Sequence, residues 1–176
     1  VENIPSEPIG NYIFRNNQDL TYSKANKKWG VDMVGFSNGG AYADLNNDGR
    51  LDLIVNNIDE PAYIYKNNIG SSDNTHYLKV QLSQEEENTY AIGSKVRIVA
   101  DKISQWQHLS LSRGFQSCVA PSLHFGVNQA TVIDSLIVTW PDEKQTTIRD
   151  VQANQKIILS YKDAKSIVTP DDKQLS

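Results

Sequence analysis

The sequence predicts an all-β protein, and two observations favour this fold class. Several segments of the second half alternate apolar and polar residues strictly, as half-buried strands do. Glycine, proline and asparagine interrupt these segments at short intervals, where turns are expected. Helix-like composition is limited to residues 84–88, which are too few to form a stable helix. We therefore expect an antiparallel β-sandwich or barrel-like domain in the second half.

A short repeat in the first part of the chain predicts a partial β-propeller blade. The segment YIFRNN at residues 12–17 recurs as YIYKNN at residues 63–68, about fifty residues later, which is a typical blade period. Each copy ends on an Asn pair suited to a turn. A closed propeller needs roughly four to eight blades, so the open edges of this one are expected to pack on the following domain or on another copy of the chain, as an edge-strand homo-oligomer.

Between the two copies lies a loop with an oxygen-bearing group at every second position. Ca²⁺ takes six to eight oxygen ligands at about 2.3–2.6 Å, and a short loop supplies them when it coils so that alternate residues point inward. Gly49 permits the sharp turn that this coiling needs. The expected calcium ligands are Asp44, Asn46, Asp48, the carbonyl of Arg50, and Asp52.

The flanks of this loop have strand character, so it is not an EF-hand; the twelfth position is also Val55, where an EF-hand needs a bidentate Glu. Carboxylates crowded into such a loop repel one another by about 3 kcal/mol per pair at 5 Å, and a cation removes that cost. With one Asn ligand and no bidentate Glu, we expect a dissociation constant of about 10⁻⁴ to 10⁻³ M. The alternative is a polar hairpin whose Asx side chains bond their own backbone without metal.

Composition restricts the compartment and the partners. The net charge of -4, with acids and bases intermixed, argues against nucleic-acid binding. No apolar run is long enough to span a membrane, and the start at Val1 lacks a signal pattern, so we expect a processed protein or a fragment. A millimolar calcium site is useful only where calcium is millimolar, which favours a secreted, cell-surface or periplasmic protein.

The predicted organisation has three parts. Residues 1–72 form the blade with its calcium-binding loop, residues 73–163 form the β domain, and residues 164–176 form a polar tail with a small strand near Ile167 and Val168. The expected strands of the β domain are residues 77–82, 95–99, 105–111, 123–127, 136–140, 145–149 and 156–161.

Two family resemblances accompany these predictions. The segment FSNGGAYAD at residues 36–44 leads into the metal loop, and the first part of the chain resembles an FG-GAP or VCBS-type blade. Four segments of the second half, in order and spacing, resemble the ASPIC/UnbV domain of the cartilage acidic protein-like family: AIGSKV at 91–96, RGFQS at 113–117, HFGV at 124–127, and IVTWP at 137–141 before Asp142. The resemblance implies a domain that follows such blades in surface proteins.

Three residues of the second half are candidate ligand contacts. Arg113 and Gln116 flank a Gly-Phe pair, where a guanidinium can bind an anion in bidentate fashion. His124 precedes Phe125 in an expected strand. The structural alternatives are an arginine that holds a loop against a carbonyl or Asp134, and a histidine satisfied by its neighbours.

Other reactive or aromatic residues are expected to be structural. Cys118 cannot form an internal disulfide or a zinc site alone, and we expect a small buried hydrophobe. Trp106 and Trp140 are expected in the core or between domains rather than as sugar-stacking platforms. No G-x-S-x-G elbow or phosphate-binding loop occurs.

The sequence therefore favours a calcium-stabilised, non-catalytic interaction or adhesion module whose partner is a protein, matrix or glycan ligand. One alternative is a glycan-binding accessory domain. The other is an enzyme with a pocket near His124 and Arg113.

Overall fold

The computed structural model describes residues 7–69, 74–85 and 87–166, and these form two compact units. Within the described residues, the first unit comprises residues 7–46, 51–68 and 112–119, and the second comprises the remainder. The strands confirm the predicted all-β class. The strand predicted near Ile167 and Val168 lies outside the described residues.

The first unit contains seven short strands among its described residues, arranged in small antiparallel sheets. A three-stranded sheet has the order β5-β6-β7, while β2 pairs with β3 and β1 pairs with β4. The elements are β1 (Ile9–Gly10), β2 (Phe14–Asn16), β3 (Tyr22–Lys24), α1 (Asn26–Trp29), β4 (Val34–Gly35), β5 (Ser37–Ala43), β6 (Asp52–Asn57) and β7 (Tyr63–Tyr65).

Both copies of the sequence repeat lie at strands of this unit. The first copy contains β2, and the second contains β7, the edge strand beside β6. The two copies belong to different sheets, so the described residues show no four-stranded blade and the propeller relationship stays a prediction. The short helix α1, which the sequence did not predict, ends at Gly30, whose φ of 69° suits a left-handed cap.

The second unit contains seven longer strands among the described residues, in two sheets. One sheet has the order β10-β9-β12-β13 and is antiparallel throughout. The other has the order β11-β8-β14. The elements are β8 (His76–Ser83), β9 (Lys95–Ala100), β10 (Ile103–His108), β11 (Leu123–Asn128), β12 (Val132–Thr139), β13 (Gln145–Gln152) and β14 (Gln155–Ser160), followed by a 3-10 turn at Tyr161–Asp163.

One strand pair departs from the predicted antiparallel arrangement. β14 runs parallel to β8, with Gln155 opposite Leu78 and Ser160 opposite Ser83. Two parallel strands must be joined by a crossover connection. The chain between β8 and β14 provides this connection, since it forms the strands of the other sheet on the way. The alternating pattern predicted both strands correctly, but it does not specify which strands pair or in which direction.

The two sheets of the second unit share one hydrophobic core, as a sandwich or barrel requires. Alternate residues of their strands point inward and are fully buried, including Leu78, Val80, Ile98, Phe125 and Leu136. Edge strands β10 and β11 are joined by side chains, because Gln105 and Gln107 donate to the carbonyls of Gly126 and His124 at 2.7 and 2.6 Å. These amides occupy acceptors at a sheet edge that would otherwise be unpaired.

Candidate functional site

The predicted calcium loop connects β5 and β6, which form an antiparallel pair. Ala43 at the end of β5 lies opposite Asp52 at the start of β6, so residues 44–51 form the connection between the two strands. The predicted strand-loop-strand arrangement is therefore present around the candidate ligands.

Asp52 is held by more hydrogen bonds than a polar loop residue at the surface would be. It is only 3% exposed, and its two carboxylate oxygens accept the backbone N–H groups of Leu45 at 3.2 Å and Asn67 at 2.8 Å. The amide of Asn67 also donates to the carbonyl of Leu51 at 3.3 Å. Asp52 thus fastens the start of the loop and the Asn pair of the second repeat copy to the start of β6.

Asp48 is held by Arg50, two residues further along. The backbone N–H of Arg50 donates to Asp48 Oδ1 at 2.9 Å, which is an Asx turn, and Arg50 Nη2 lies 2.5 Å from Asp48 Oδ2. Asn47 and Gly49 have φ values of 57° and 82°, so the backbone adopts the left-handed conformation at both positions and turns sharply.

Position 49 requires glycine, because a side chain there would clash with a neighbouring ring. A Cβ atom at Gly49 would lie 2.0 Å from a ring carbon of Tyr77, far inside van der Waals contact. The Tyr77 ring stacks on the His124 ring, with centroids 5.4 Å apart and planes 7° apart. Moving the Tyr77 ring to make room for a Cβ atom would disrupt its stacking contact with His124.

The donor set fits calcium in chemistry and spacing, since carboxylate, amide and carbonyl oxygens are the ligands that this ion takes. Among the residues that the structure describes, however, no three His, Cys, Asp or Glu side chains are grouped as a metal cluster. Asp48 forms an ion pair with the Arg50 guanidinium, which places a positive charge at that carboxylate. From the sequence only the carbonyl of Arg50 was expected to take part in the site, so this ion pair was not predicted.

Arg113 lies in a short arm of the first unit, residues 112–119, rather than in an open anion site. Ser112 and Cys118 form a β-bridge that closes the arm. Arg113 Nε donates to the Tyr42 hydroxyl at 2.8 Å, and Nη1 donates to the carbonyl of Ser112 at 2.9 Å. The guanidinium carbon lies 5.8 Å from the centre of the Tyr42 ring. These contacts support the structural interpretation of Arg113.

The same arm packs on the Gly-Gly pair of β5. Ser117 Oγ accepts the N–H of Gly40 at 3.0 Å and donates to the carbonyl of Phe115 at 2.7 Å. A Cβ atom at Gly39 would lie 3.0 Å from Ser117 Oγ, so the close approach depends on glycine. Gln116 lines a cleft of about 210 Å³ beside this contact.

His124 belongs to the second unit, in β11, and its neighbours are Tyr77 and the carbonyl contact from Gln107. Arg113 and Gln116 belong to the first unit. The three candidate ligand contacts therefore do not form one cluster within either unit, and their binding role stays a prediction.

Two other expectations were wrong. Cys118 is exposed instead of buried, because it pairs with Ser112 at the surface of the arm. Trp106 is 61% exposed, whereas Trp140 is buried as expected and donates to Thr146 Oγ1 at 2.9 Å. The outward position of Trp106 could have been predicted from the sequence. The residues two positions away, Ser104 and His108, are polar, which is typical of an outward strand face.

Comparison with known proteins supports the domain predicted for the second half. Residues 84–166 match the family model described as ASPIC and UnbV. Cartilage acidic protein 1 of Xenopus tropicalis is 29% identical over 174 residues, which cover 92% of this chain and 26% of that protein. The Mus musculus and Homo sapiens proteins of the same name are each 28% identical over 141 residues, or 77% of this chain and 21% and 20% of their own lengths.

These similarities extend beyond the matched domain, since the Xenopus alignment covers nearly the whole chain. The chain spans about a quarter or less of the length of these relatives, by the shares of 26%, 21% and 20%. No helix in the described ranges is long and apolar enough to cross a membrane.

Proposed function

We propose that this chain is a calcium-stabilised, non-catalytic interaction or adhesion module of a secreted or surface protein. The observation that carries the proposal is the closed loop between β5 and β6, in which Asp52 accepts N–H groups from both Leu45 and Asn67. The match of residues 84–166 to ASPIC and UnbV and the similarity to cartilage acidic protein 1 support it.

Calcium would act on folding rather than on catalysis. The bound ion would hold Asp44, Asn46, Asp48 and Asp52 around one centre and fix the β5–β6 connection, while Arg50 contributes its carbonyl oxygen. At a free concentration ten times the dissociation constant, one site adds about 1.4 kcal/mol to the free energy of unfolding. Weak binding of this kind is effective outside the cell, where calcium is millimolar.

Calorimetric titration and thermal melting with calcium test this proposal, with magnesium as the ionic control and a chelator as the reference. We expect a dissociation constant of about 10⁻⁴ to 10⁻³ M and a rise in melting temperature with calcium. Asp44→Asn should weaken binding at least tenfold, because one ligand charge is removed, whereas Asp59→Asn, an exposed turn residue outside the loop, should not. Calcium that leaves the melting temperature unchanged contradicts the proposal.

A second candidate function is carbohydrate binding, and the exposure of Trp106 favours it. An exposed indole offers a flat apolar face with a polar tip, which suits a sugar ring. A glycan array that compares the unmodified protein with Trp106→Ala tests this candidate. Binding that the substitution abolishes supports it, and an array without any signal removes it.

A further inference from the structure

The four-stranded sheet of the second unit has an outer face that the core does not use. Along β9 and β12 the inward residues Val96, Ile98, Leu136 and Val138 are fully buried, so the alternate residues point away from the core. The strand register aligns these outward residues in three rows across β10, β9, β12 and β13: His108, Lys95, Thr139, Gln145; Trp106, Arg97, Ile137, Thr147; and Ser104, Val99, Ser135, Arg149. All of them are exposed or half-buried, and we refer to them as the basic face.

The residues of the basic face carry positive charge and no negative charge. The basic face includes Lys95, Arg97 and Arg149 but no Asp or Glu, on a protein whose net charge is -4. Within the described part of the chain, none of these three cations forms an ion pair. Outside the three rows, the nearest carboxylates along β12 and β13 are Asp134 and Asp150, which are exposed and adjoin Ser135 and Arg149 in sequence. A surface of this kind attracts an anionic partner.

Trp106 and Arg97 lie opposite each other in the ladder between β10 and β9. The guanidinium carbon of Arg97 lies 5.9 Å from the centre of the indole ring, and its Nε donates to Ser104 Oγ at 3.0 Å. Its two terminal nitrogens have no hydrogen-bond partner among the described residues, so they can contact a carboxylate or sulfate in bidentate fashion. The Arg97 guanidinium thus lies over the ring of an exposed tryptophan, and its terminal nitrogens can still contact an anion.

We propose that the basic face binds an acidic polysaccharide, with a sugar ring stacked on Trp106 and its carboxylate or sulfate group on Arg97. This inference rests on the carbohydrate-binding candidate and deepens it, and it does not depend on calcium. Serine, threonine and glutamine around the pair supply hydrogen bonds to sugar hydroxyls.

The two other classes of anionic partner fit this surface less well. Proteins that bind duplex DNA typically neutralise about six to ten phosphates, whereas the basic face has three permanent cations. An acidic peptide commonly adds to a sheet edge and places side chains in pockets, whereas this surface is the broad face of a sheet. The positive charge and the exposed indole together favour the polysaccharide.

Binding to immobilised polymers tests the proposal. The probes are heparin, which is sulfated, polygalacturonate, which is carboxylated, and dextran, which is neutral, all at low salt with a chelator present. We expect binding to at least one acidic polymer, with the stronger of the two identifying the anionic group, and none to dextran. Arg97→Gln and Trp106→Ala should each weaken binding about tenfold. Lys156→Gln, which removes one exposed charge from β14 outside the basic face, should change it less than twofold.

Several results would overturn the proposal: affinity for heparin and polygalacturonate that neither variant changes, or tighter binding to polyglutamate or duplex DNA. If either variant fails to fold, the proposal is tested by adding heparin to the unmodified protein and recording amide chemical-shift changes. The proposal requires these changes to map to the three rows of the basic face. A neutral glycan bound through Trp106 without any effect of Arg97→Gln preserves the carbohydrate candidate and removes this inference. The calcium role is decided separately by the calcium titration.

Discussion

The guanidinium of Arg50 lies 2.5 Å from the carboxylate of Asp48, and the backbone N–H of Arg50 donates to Asp48 Oδ1 at 2.9 Å. The loop therefore contains its own counter-charge at a carboxylate where the proposed calcium ion would bind. Calcium and the Arg50 side chain should compete for Asp48, while the Arg50 carbonyl remains a candidate ligand.

Replacing Arg50 with Gln should strengthen calcium binding, because it removes this competing cation and retains the backbone carbonyl. A partly exposed ion pair contributes about 0.2–1 kcal/mol, so we expect the dissociation constant to fall by at most about fivefold. Calorimetric titration measures the change, and Lys66→Gln, an exposed lysine beyond β7, is the charge-matched control. Weaker calcium binding by Arg50→Gln would contradict the competition.

Replacing Asp52 with Asn should destabilise the protein even in the presence of a chelator. Both carboxylate oxygens accept backbone N–H groups, from Leu45 and Asn67, and an amide would turn an NH₂ group toward one of these donors. A buried donor left unsatisfied costs about 1–3 kcal/mol. Chemical denaturation measures the free energy of unfolding, with Asp59→Asn as the exposed control. Equal stability of the two variants would show that Asp52 does not fasten the loop.

Replacing Gly49 with Ala should destabilise the second unit by more than Gly93→Ala does. Both glycines have positive φ, 82° and 98°, but only a Cβ at Gly49 meets a side chain, the Tyr77 ring at 2.0 Å. Backbone strain of about 1 kcal/mol or more is common to both, and overpacking adds about 1–3 kcal/mol at Gly49.

A double-mutant cycle separates these two costs. Tyr77→Leu in the Gly49→Ala background should recover the steric part and leave the backbone part. Thermal and chemical denaturation of the four proteins measure the coupling. A coupling of zero would mean that the ring does not constrain Gly49.

Stability at acid pH should depend on a cluster formed by Asp142, Lys144 and Tyr161. The Tyr161 hydroxyl donates to Asp142 Oδ2 at 2.6 Å, and Lys144 Nζ lies 2.9 Å from the same oxygen. The Tyr161 hydrogen bond first, and Lys144 next, lower the pKa of Asp142 from its ordinary value of 3.8. The same hydroxyl, and then Asp142, raise the pKa of Lys144 to about 12.

Because the pKa of Asp142 is lower in the folded state, its stabilising effect is complete above pH 3.8 and is lost as the pH falls below that value. Asp142→Asn should therefore lower the melting temperature slightly at pH 7, and the difference should shrink below pH 4. Asp163→Asn, on the neighbouring 3-10 turn, is the matched control. A difference between Asp142→Asn and the unmodified protein that is constant with pH would contradict this assignment.

The fold of the second unit follows largely from the sequence, whereas strand pairing does not. Alternation at residues 77–82 and 95–99 predicted β8 and β9, because burying one face of a strand imposes a period of two. The parallel pairing of β14 with β8 depends on the path of the chain between them, which no local pattern encodes.

The candidate site shows the same division. The spacing of Asp44, Asn46, Asp48 and Asp52 is visible in the sequence because loop ligands come from alternate residues. The hydrogen bond between Asp52 and Asn67 joins positions fifteen residues apart that the pairing of β6 with β7 brings together. The contact of Arg113 with Tyr42 spans 71 residues and was equally invisible.

A crystal structure of the protein grown in millimolar calcium tests the central claim most directly. We expect anomalous density for one ion within about 2.3–2.6 Å of oxygens from Asp44, Asn46, Asp48, Asp52 and the Arg50 carbonyl, with the Arg50 guanidinium displaced from Asp48. A loop that keeps the 2.5 Å contact between Arg50 and Asp48, without density among these oxygens, would contradict it.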